Sequence, residues 1–504
     1  MRIDADVAIV GSGFAGSLTA LALRSRRRRV VLIERGRHPR FAIGESSTPL
    51  ANLLIEELAD RYELPQIRPF SKWGTWQRTR PDVAGGLKRG FTFYFHRLDE
   101  RFADTAAHAR QLMVAASPHD EIGDTHWYRP DFDLNLVREA QAAGAIYLDR
   151  TVIDRVAFSE KSARLEGSRE GDAVRIDASF VVDASGPRGF LARALQLDAP
   201  PLRWLPPTHG LYTHFENVAR WDPAGVGPYP PDNAALHHVF PGGWIWVLRF
   251  NNGVTSAGAA LLMRTSSWDD LLASLPSVRD QFANARPVHP WVRSAPLAFR
   301  TTKVCGTNWA LLPSASGVID PLLSTGFPLT LLGIHRLLDV LETTSPGAER
   351  DAALREYEHV TLAELDATEL LVAALYACMN DVPLFKRLTL LYFAAASFSE
   401  AARRLDRTAL APGFLLSAHP VFGPELRACC ELARTSPGGP RRDALFERID
   451  RAIEPFDIAG LLDRSRADWY PVLAADLVSN AAKLHARPDE VERLLQRSGF
   501  TEVS

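Results

Sequence analysis

The tightest constraint on the fold lies near the N-terminus, where Gly11-Ser12-Gly13-Phe14-Ala15-Gly16 follows a short apolar run, Asp6 to Val10. The segment after it, Ser17 to Arg24, has helical spacing, and a second apolar run, Val30 to Ile33, closes on Glu34. Strand, glycine turn, helix and strand in this order open a parallel α/β unit. In such a turn Gly11 permits the tight bend, Gly13 lets backbone amides approach a pyrophosphate, and Gly16 lets helix and strand pack closely. Ala15 stands inside the same turn, whose helix N-terminus attracts the anion. Glu34, 18 residues after Gly16, stands where an acidic side chain accepts a ribose hydroxyl. Gly11, Gly13, Ala15, Gly16 and Glu34 are the candidate dinucleotide ligands.

At 504 residues the chain exceeds one ordinary hydrophobic core and predicts two or three domains at roughly 150 residues each. A formal charge of -2 argues against a protein built to blanket nucleic acid or anionic membrane, and 46% apolar with 23% charged residues excludes a disordered or fibrous chain. The basic run Arg24 to Arg29 falls at a helix C-terminus, where cations complement the dipole, so it is read as a solvated loop. Asp4 and Asp6 stand where a secretory signal carries basic residues, and the longest largely apolar stretch, Leu388 to Phe398, is about half of the ~20 residues a membrane span needs. A cytoplasmic protein without a membrane span is expected. Cys305, Cys378, Cys429 and Cys430 show no metal-ligand spacing and are expected to be free core thiols. Only six of the 58 basic residues are lysines, which draws attention to each as a compact, titratable ammonium that arginine cannot replace.

Further along, Gly90 to His96 alternates like a strand, Tyr128 to Ala145 is helical in spacing, and Phe180 to Asp183, Trp244 to Phe250 and Trp309 to Pro313 read as strands. Pro223 to Asp232 reads as a proline- and glycine-rich loop. Beyond about Leu338 the spacing is helical, as in Ala352 to Met379, Pro424 to Arg434 and Val491 to Arg497. No second dinucleotide fingerprint follows. The segments Asp183-Ala184-Ser185-Gly186 and Gly317-Val318-Ile319-Asp320-Pro321 suit a flavin whose ring lies deep in the chain, so the cofactor is expected to be FAD, reduced from elsewhere.

These motifs, with His38-Pro39-Arg40-Phe41 leading into Gly44-Glu45-Ser46, Gly86-Leu87-Lys88-Arg89-Gly90-Phe91, Trp244-Ile245-Trp246 and Asp320-Pro321 leading to Ser324-Thr325-Gly326, resemble the flavin-dependent halogenases, phenol-directed type, over most of residues 5 to 335. The resemblance implies a Rossmann-like parallel sheet binding FAD, an antiparallel sheet on the substrate side and a helical C-terminal region. It divides the chain into a discontinuous FAD-binding and substrate-side module, residues 1–340, and a helical region, 341–504, covering the active site. It also implies that FADH2, delivered by a separate NAD(P)H-dependent flavin reductase, reacts with O2 and chloride or bromide to give hypohalous acid, which a lysine directs onto an electron-rich arene. By its place in the motif that lysine is Lys88. Thr325 and Gly326 map to the halide site; Arg40, Glu45, Ser46, Arg129 and Asp320 map to the flavin side. Trp244, Trp246, Arg249 and Leu323 map to the pocket.

The residues alone support part of this. In a continuous strand from Leu87 to His96, Lys88 shares a face with Gly90, Thr92, Tyr94 and His96, opposite a mostly apolar face, so its ammonium could line a cavity or meet water. Lys72 is the competing lysine, in loop-like sequence that suits a side chain snorkelling to solvent. Thr325 could be a plain helix cap, Asp320 a turn cap, and Trp244 with Trp246 a packed strand face.

Two departures matter. Tryptophan-directed members carry a glutamate where this chain has Leu323, whereas a phenol donates electron density from its own oxygen, which favours a phenolic or pyrrolic substrate. The family's W-x-W-x-I-P ends here in Leu248-Arg249, placing a cation beside the oxidant pocket or turning it outward. The expected function is an FADH2-dependent halogenase of secondary metabolism, the alternatives being an aromatic hydroxylase or a flavin-binding protein that has lost turnover.

Overall fold

The computed structural model describes residues 1–187, 189–197, 202–221, 227–265, 267–294, 296–435 and 438–500. Strand β1 (Arg2–Val10) leads through the glycine turn into helix α1 (Phe14–Ser25) and strand β2 (Val30–Ile33). β1 pairs in parallel with β2 on one side and with Asp172–Asp183 on the other; Ile146–Leu148 and Trp309–Leu311 continue the parallel pairing outward, and Cys305–Gly306 adds an antiparallel edge beyond Trp309–Leu311. All four residues of β2 are buried, as expected of a strand covered on both faces. The basic run after α1 is exposed, and Arg29 pairs with Asp6 at 2.9 Å.

A second, nine-stranded sheet carries β4 (Gly90–Phe95) and β5 (Gln111–Ala115) beside Ala235–Phe240, Gly243–Arg249, Thr255–Leu261 and His209–Glu216. Its pairings are mostly antiparallel, with β4 parallel to Ala235–Phe240 and β5 parallel to Trp469–Tyr470. β3 (Gly85–Lys88) and β6 (Asp124–Trp127) form a separate antiparallel ribbon. The continuous strand expected from Leu87 to His96 is therefore two strands. Arg89 breaks it, its amide donating to the Asn233 carbonyl and its own carbonyl accepting from Ala116. Both faces of β4 are buried, which removes the solvent-facing side that alternation suggested.

The C-terminal third is helical, led by Ala348–Ala377 and Val382–Arg404, and its apolar residues join the same core as the FAD-type sheet. Among the described residues no helix is long and apolar enough to cross a membrane. All four cysteines are free and buried. The loop read from Pro223 to Asp232 lies partly outside the described residues; Pro231–Asn233 is a single helical turn.

Candidate active site

The fingerprint turn leaves no room for side chains. Gly11 has φ +102°, and a Cβ there would lie 2.4 Å from the Ala184 carbonyl oxygen; one on Gly16 would lie 1.9 Å from the Gly11 carbonyl oxygen. Two guanidiniums face Gly13, those of Arg129 and Arg40 at 3.3 and 3.4 Å from a Cβ position. Arg129 is locked by a two-pronged pair with Asp133 and donates to the Ile43 and Gly44 carbonyls, whereas the buried Arg40 Nε has no partner. Glu34 Oε2 accepts from the Ser12 amide and hydroxyl, and Oε1 accepts from the Gly36 amide. Burial raises its pKa, but Arg40, Gly36 and Ser12 outweigh that and hold the carboxylate ionised. A glycine cradle, a helix N-terminus, two cations and an acid at the ribose position fit FAD.

The chain from Gly44 to Thr48 runs from this site to a second one. Gly44 accepts from Arg129, Glu45 Oε1 meets His214 Nε2 at 2.7 Å, and Ser46 and Ser47 run beside β6. Thr48 then caps helix α2 (Pro49–Arg61) through the Ala51 amide. Lys88 Nζ donates to Ser46 Oγ at 2.9 Å and to the Ser47 carbonyl at 2.5 Å, and lies 3.8 Å from the centre of the Phe91 ring. The side chain is fully buried. Burial drives its pKa down while the charge of Asp124 opposes the fall; burial correspondingly drives Asp124 up while Lys88 opposes the rise. Burial above all pushes the neighbouring His126 and His237 down to about 3, so both are neutral near pH 7.

Glycines place this lysine. A Cβ on Gly86 would lie 2.0 Å from the Arg249 carbonyl oxygen, and one on Gly90 2.2 Å from that of Val114. Gly85 also exchanges two hydrogen bonds with Asn251, so β3 is pressed against the end of the strand Gly243–Arg249.

Beside Lys88 is a cavity of about 180 Å³. Phe91, Tyr392 and Phe393 supply aromatic wall, with Phe91 and Phe393 edge to face at 5.2 Å. Asp124 and Asn52 add polar groups, and Lys72, Glu400 and Arg404 form a charged margin. The helix Val382–Arg404 and segments between Ile458 and Phe500 close it, so the C-terminal region covers this cavity. Lys88 is not itself a lining residue; its nitrogen sits behind Phe91 and Asp124, which are. Lys72 does not snorkel into bulk solvent as its sequence context suggested. It is half-buried at the cavity and donates to the Ser498 carbonyl at 2.9 Å.

Thr325 precedes the 18-residue helix Gly326–Thr343 and makes no side-chain capping bond; space is open at Gly326, and Ser324 adopts φ +53°. Phe327 stacks on Trp127 at 4.1 Å and meets Phe14 of α1 at 4.9 Å, which ties this helix to both β6 and the fingerprint.

The residues mapped to the pocket lie elsewhere. Trp244 Nε1 donates to the Tyr376 hydroxyl, which donates to Asp320 Oδ2; Trp246 Nε1 donates to Ser256. Both tryptophans are buried in the core. Arg249 turns from the cavity to pair with Asp232 at 2.6 Å, because that buried carboxylate and the Val218 and Ala219 carbonyls capture its guanidinium. Leu323 contributes its carbonyl to the Tyr392 hydroxyl at 2.9 Å, and none of the four lines the cavity. Sequence reasoning missed Asp124, Asn52 and Tyr392, which no local motif marks.

Residues 6–308 match the family of FAD dependent oxidoreductases. The chain is 30% identical over 402 residues to the monodechloroaminopyrrolnitrin halogenase of Pseudomonas fluorescens, covering 75% of this chain and 69% of that one. It is also 30% identical over 409 residues to the tetracycline 7-halogenase of Kitasatospora aureofaciens, covering 75% and 71%. In fold it is similar to halogenase PltM, solved with phloroglucinol and FAD, at a TM-score of 0.83 and 23% identity over 92% of this chain and 99% of that one. The glycine cradle with its two arginines, the buried lysine behind an aromatic cavity and these relatives converge: the chain belongs to the flavin-dependent halogenases, FAD-dependent enzymes that use O2 and halide.

Proposed function

We propose that the enzyme halogenates a small phenol, with Lys88 as the residue that directs hypohalous acid onto the ring. The observation that carries the reading is the placement of Lys88: an ammonium with no solvent exposure, held on Ser46 and Ser47 and backed onto the ring of Phe91, whose surroundings form an aromatic-walled cavity. Burying an ammonium costs several kcal/mol, an arrangement that a purely structural site rarely needs. The absence of a carboxylate at Leu323 supports an arene that is activated by its own oxygen.

When bound, FADH2 would supply two of the four electrons that reduce O2, chloride or bromide supplying the other two as it becomes hypohalous acid. Gly11, Gly13, Ala15 and Gly16 would cradle its pyrophosphate, Arg40 and Arg129, which face Gly13, would meet its charge, and Glu34 would take the ribose. Thr325 and Gly326 offer the halide the start of a helix beside open space. Lys88, by hydrogen bonding, delivers the electrophile toward Phe91, Tyr392 and Phe393, against which the arene stacks. Halogenases of this family are generally two-component, and a separate NAD(P)H-dependent reductase is proposed as the source of FADH2.

The test is to incubate the protein with FAD, a flavin reductase, NADH, bromide and a panel of phenols, and to read product masses. A two-line bromine isotope pattern is expected from the parent enzyme, and its loss with retained FAD binding from Lys88→Ala. A product that gains only oxygen overturns the reading in favour of hydroxylation.

A further inference from the structure

Asp124 is the cross-strand partner of Lys88 in the β3–β6 ribbon, so the two side chains leave the same face. They do not close on each other. Lys88 Nζ spends its hydrogen bonds on Ser46 and Ser47, while Asp124 Oδ1 accepts from Asn52 Nδ2 at 2.8 Å. Asp124 Oδ2 is buried without any hydrogen-bond partner, and the residue lines the cavity. A structural counter-ion would be bonded to its lysine; this carboxylate has one oxygen anchored and the other unsatisfied, on a residue that lines the cavity.

We propose that Asp124 is a second catalytic group, the base that accepts the phenolic proton as the halogen is transferred. The inference rests on the halogenase reading. As the ring carbon ortho or para to the hydroxyl forms its bond to halogen, the O–X bond of hypohalous acid breaks. Hydroxide leaves and takes a proton from the Lys88 ammonium to become water, and the phenolic proton passes to Asp124. The ring C–H proton then passes to the Lys88 amine, restoring its ammonium, and return of the proton from Asp124 to the oxygen restores the phenol. The sum is H–ArOH + HOX → X–ArOH + H2O. The groups facing Asp124 are Lys88 from β3, Asn52 from α2, and Tyr392, Glu400 and Arg404 from the helix Val382–Arg404. Of these, Lys88, Asn52 and Arg404 favour its ionised form and Glu400 opposes it.

The experiment compares the FAD-loaded parent with Asp124→Asn on two substrates, a phenol that is neutral at the assay pH and one acidic enough to be already ionised. Reductase, bromide and flavin are held constant. With the neutral phenol the variant should brominate about 10²- to 10⁴-fold more slowly, the span of a general base, and with the ionised phenol it should approach the parent. An equal loss on both phenols, or none, overturns the role. If Asp124→Asn fails to fold or to hold FAD, the parent decides: its kcat/KM should show an acidic limb with the neutral phenol that is absent with the ionised one, and a limb shared by both refutes the proposal. A parent that brominates neither phenol would instead refute the phenol-halogenase reading.

Discussion

The packing of β3 makes a single methyl group a stringent probe of how Lys88 is positioned. In Gly86→Ala the new Cβ would sit 2.0 Å from the Arg249 carbonyl oxygen and 3.1 Å from the His126 Cβ, and contacts under 3.0 Å are essentially never observed. Both neighbours belong to strands, so β3 must move away by about 1 Å or the sheet edge must distort, an overpacking that costs ~1–3 kcal/mol. Lys88 is two residues along the same short strand and moves with it. A misplacement of about 1 Å at a reacting group lowers turnover by ~10²-fold. Bromination by Gly86→Ala should therefore fall about a hundredfold, while flavin content stays at the parent level because the fingerprint is untouched. Gly438→Ala is the matched control: its Cβ meets nothing within 4 Å, and its activity should be unchanged. Product formation under saturating FADH2, flavin absorbance and thermal melting measure the three quantities. A Gly86→Ala enzyme within about twofold of the parent would show that Lys88 does not depend on the β3 register, and the argument from close packing would fall.

Two further outcomes follow from other parts of the molecule. Gly16→Ala would drive a Cβ to 1.9 Å from the Gly11 carbonyl oxygen; at ~1–3 kcal/mol of overpacking FAD affinity should drop about tenfold or more, read by flavin titration, and unchanged affinity would refute the role of that close approach. Burial pushes the Asp320 carboxyl up to about 7 from 3.8, against the donors Leu322 N, Tyr376 and Trp244. The folded state then holds its proton more tightly than the unfolded one, so this stabilisation is complete below pH ~4 and is lost as pH rises to ~7, amounting to roughly 4 kcal/mol. Melting temperature compared between the parent and Asp320→Asn should favour the variant progressively from pH 5 to 8; a constant difference would contradict it.

Legibility followed the range of the interactions involved. The fingerprint, α1 and β2 are specified within 34 residues, by glycines that a tight turn demands and by apolar runs of strand length, and the strand read at Val30 to Ile33 is the strand found. The helical C-terminal third was readable from apolar spacing for the same reason. The strand proposed from Leu87 to His96 went wrong because Arg89 hands its backbone groups to Asn233 and Ala116, which are distant in sequence. Arg249 could be placed only once Asp232 was seen beside it, and Lys72 only once Ser498 closed over it.

The sequence by itself determined that a parallel α/β unit binds a dinucleotide, since steric relief at Gly11 and Gly16 and the acid at Glu34 are local necessities. By resemblance it also pointed to Lys88. Only the tertiary structure decided that this ammonium is wholly buried, that Asp124 stands across the ribbon from it with one oxygen unsatisfied, and that a helix almost three hundred residues later walls the cavity. Those facts depend on strand register and on desolvation by remote segments, which no spacing along the chain encodes.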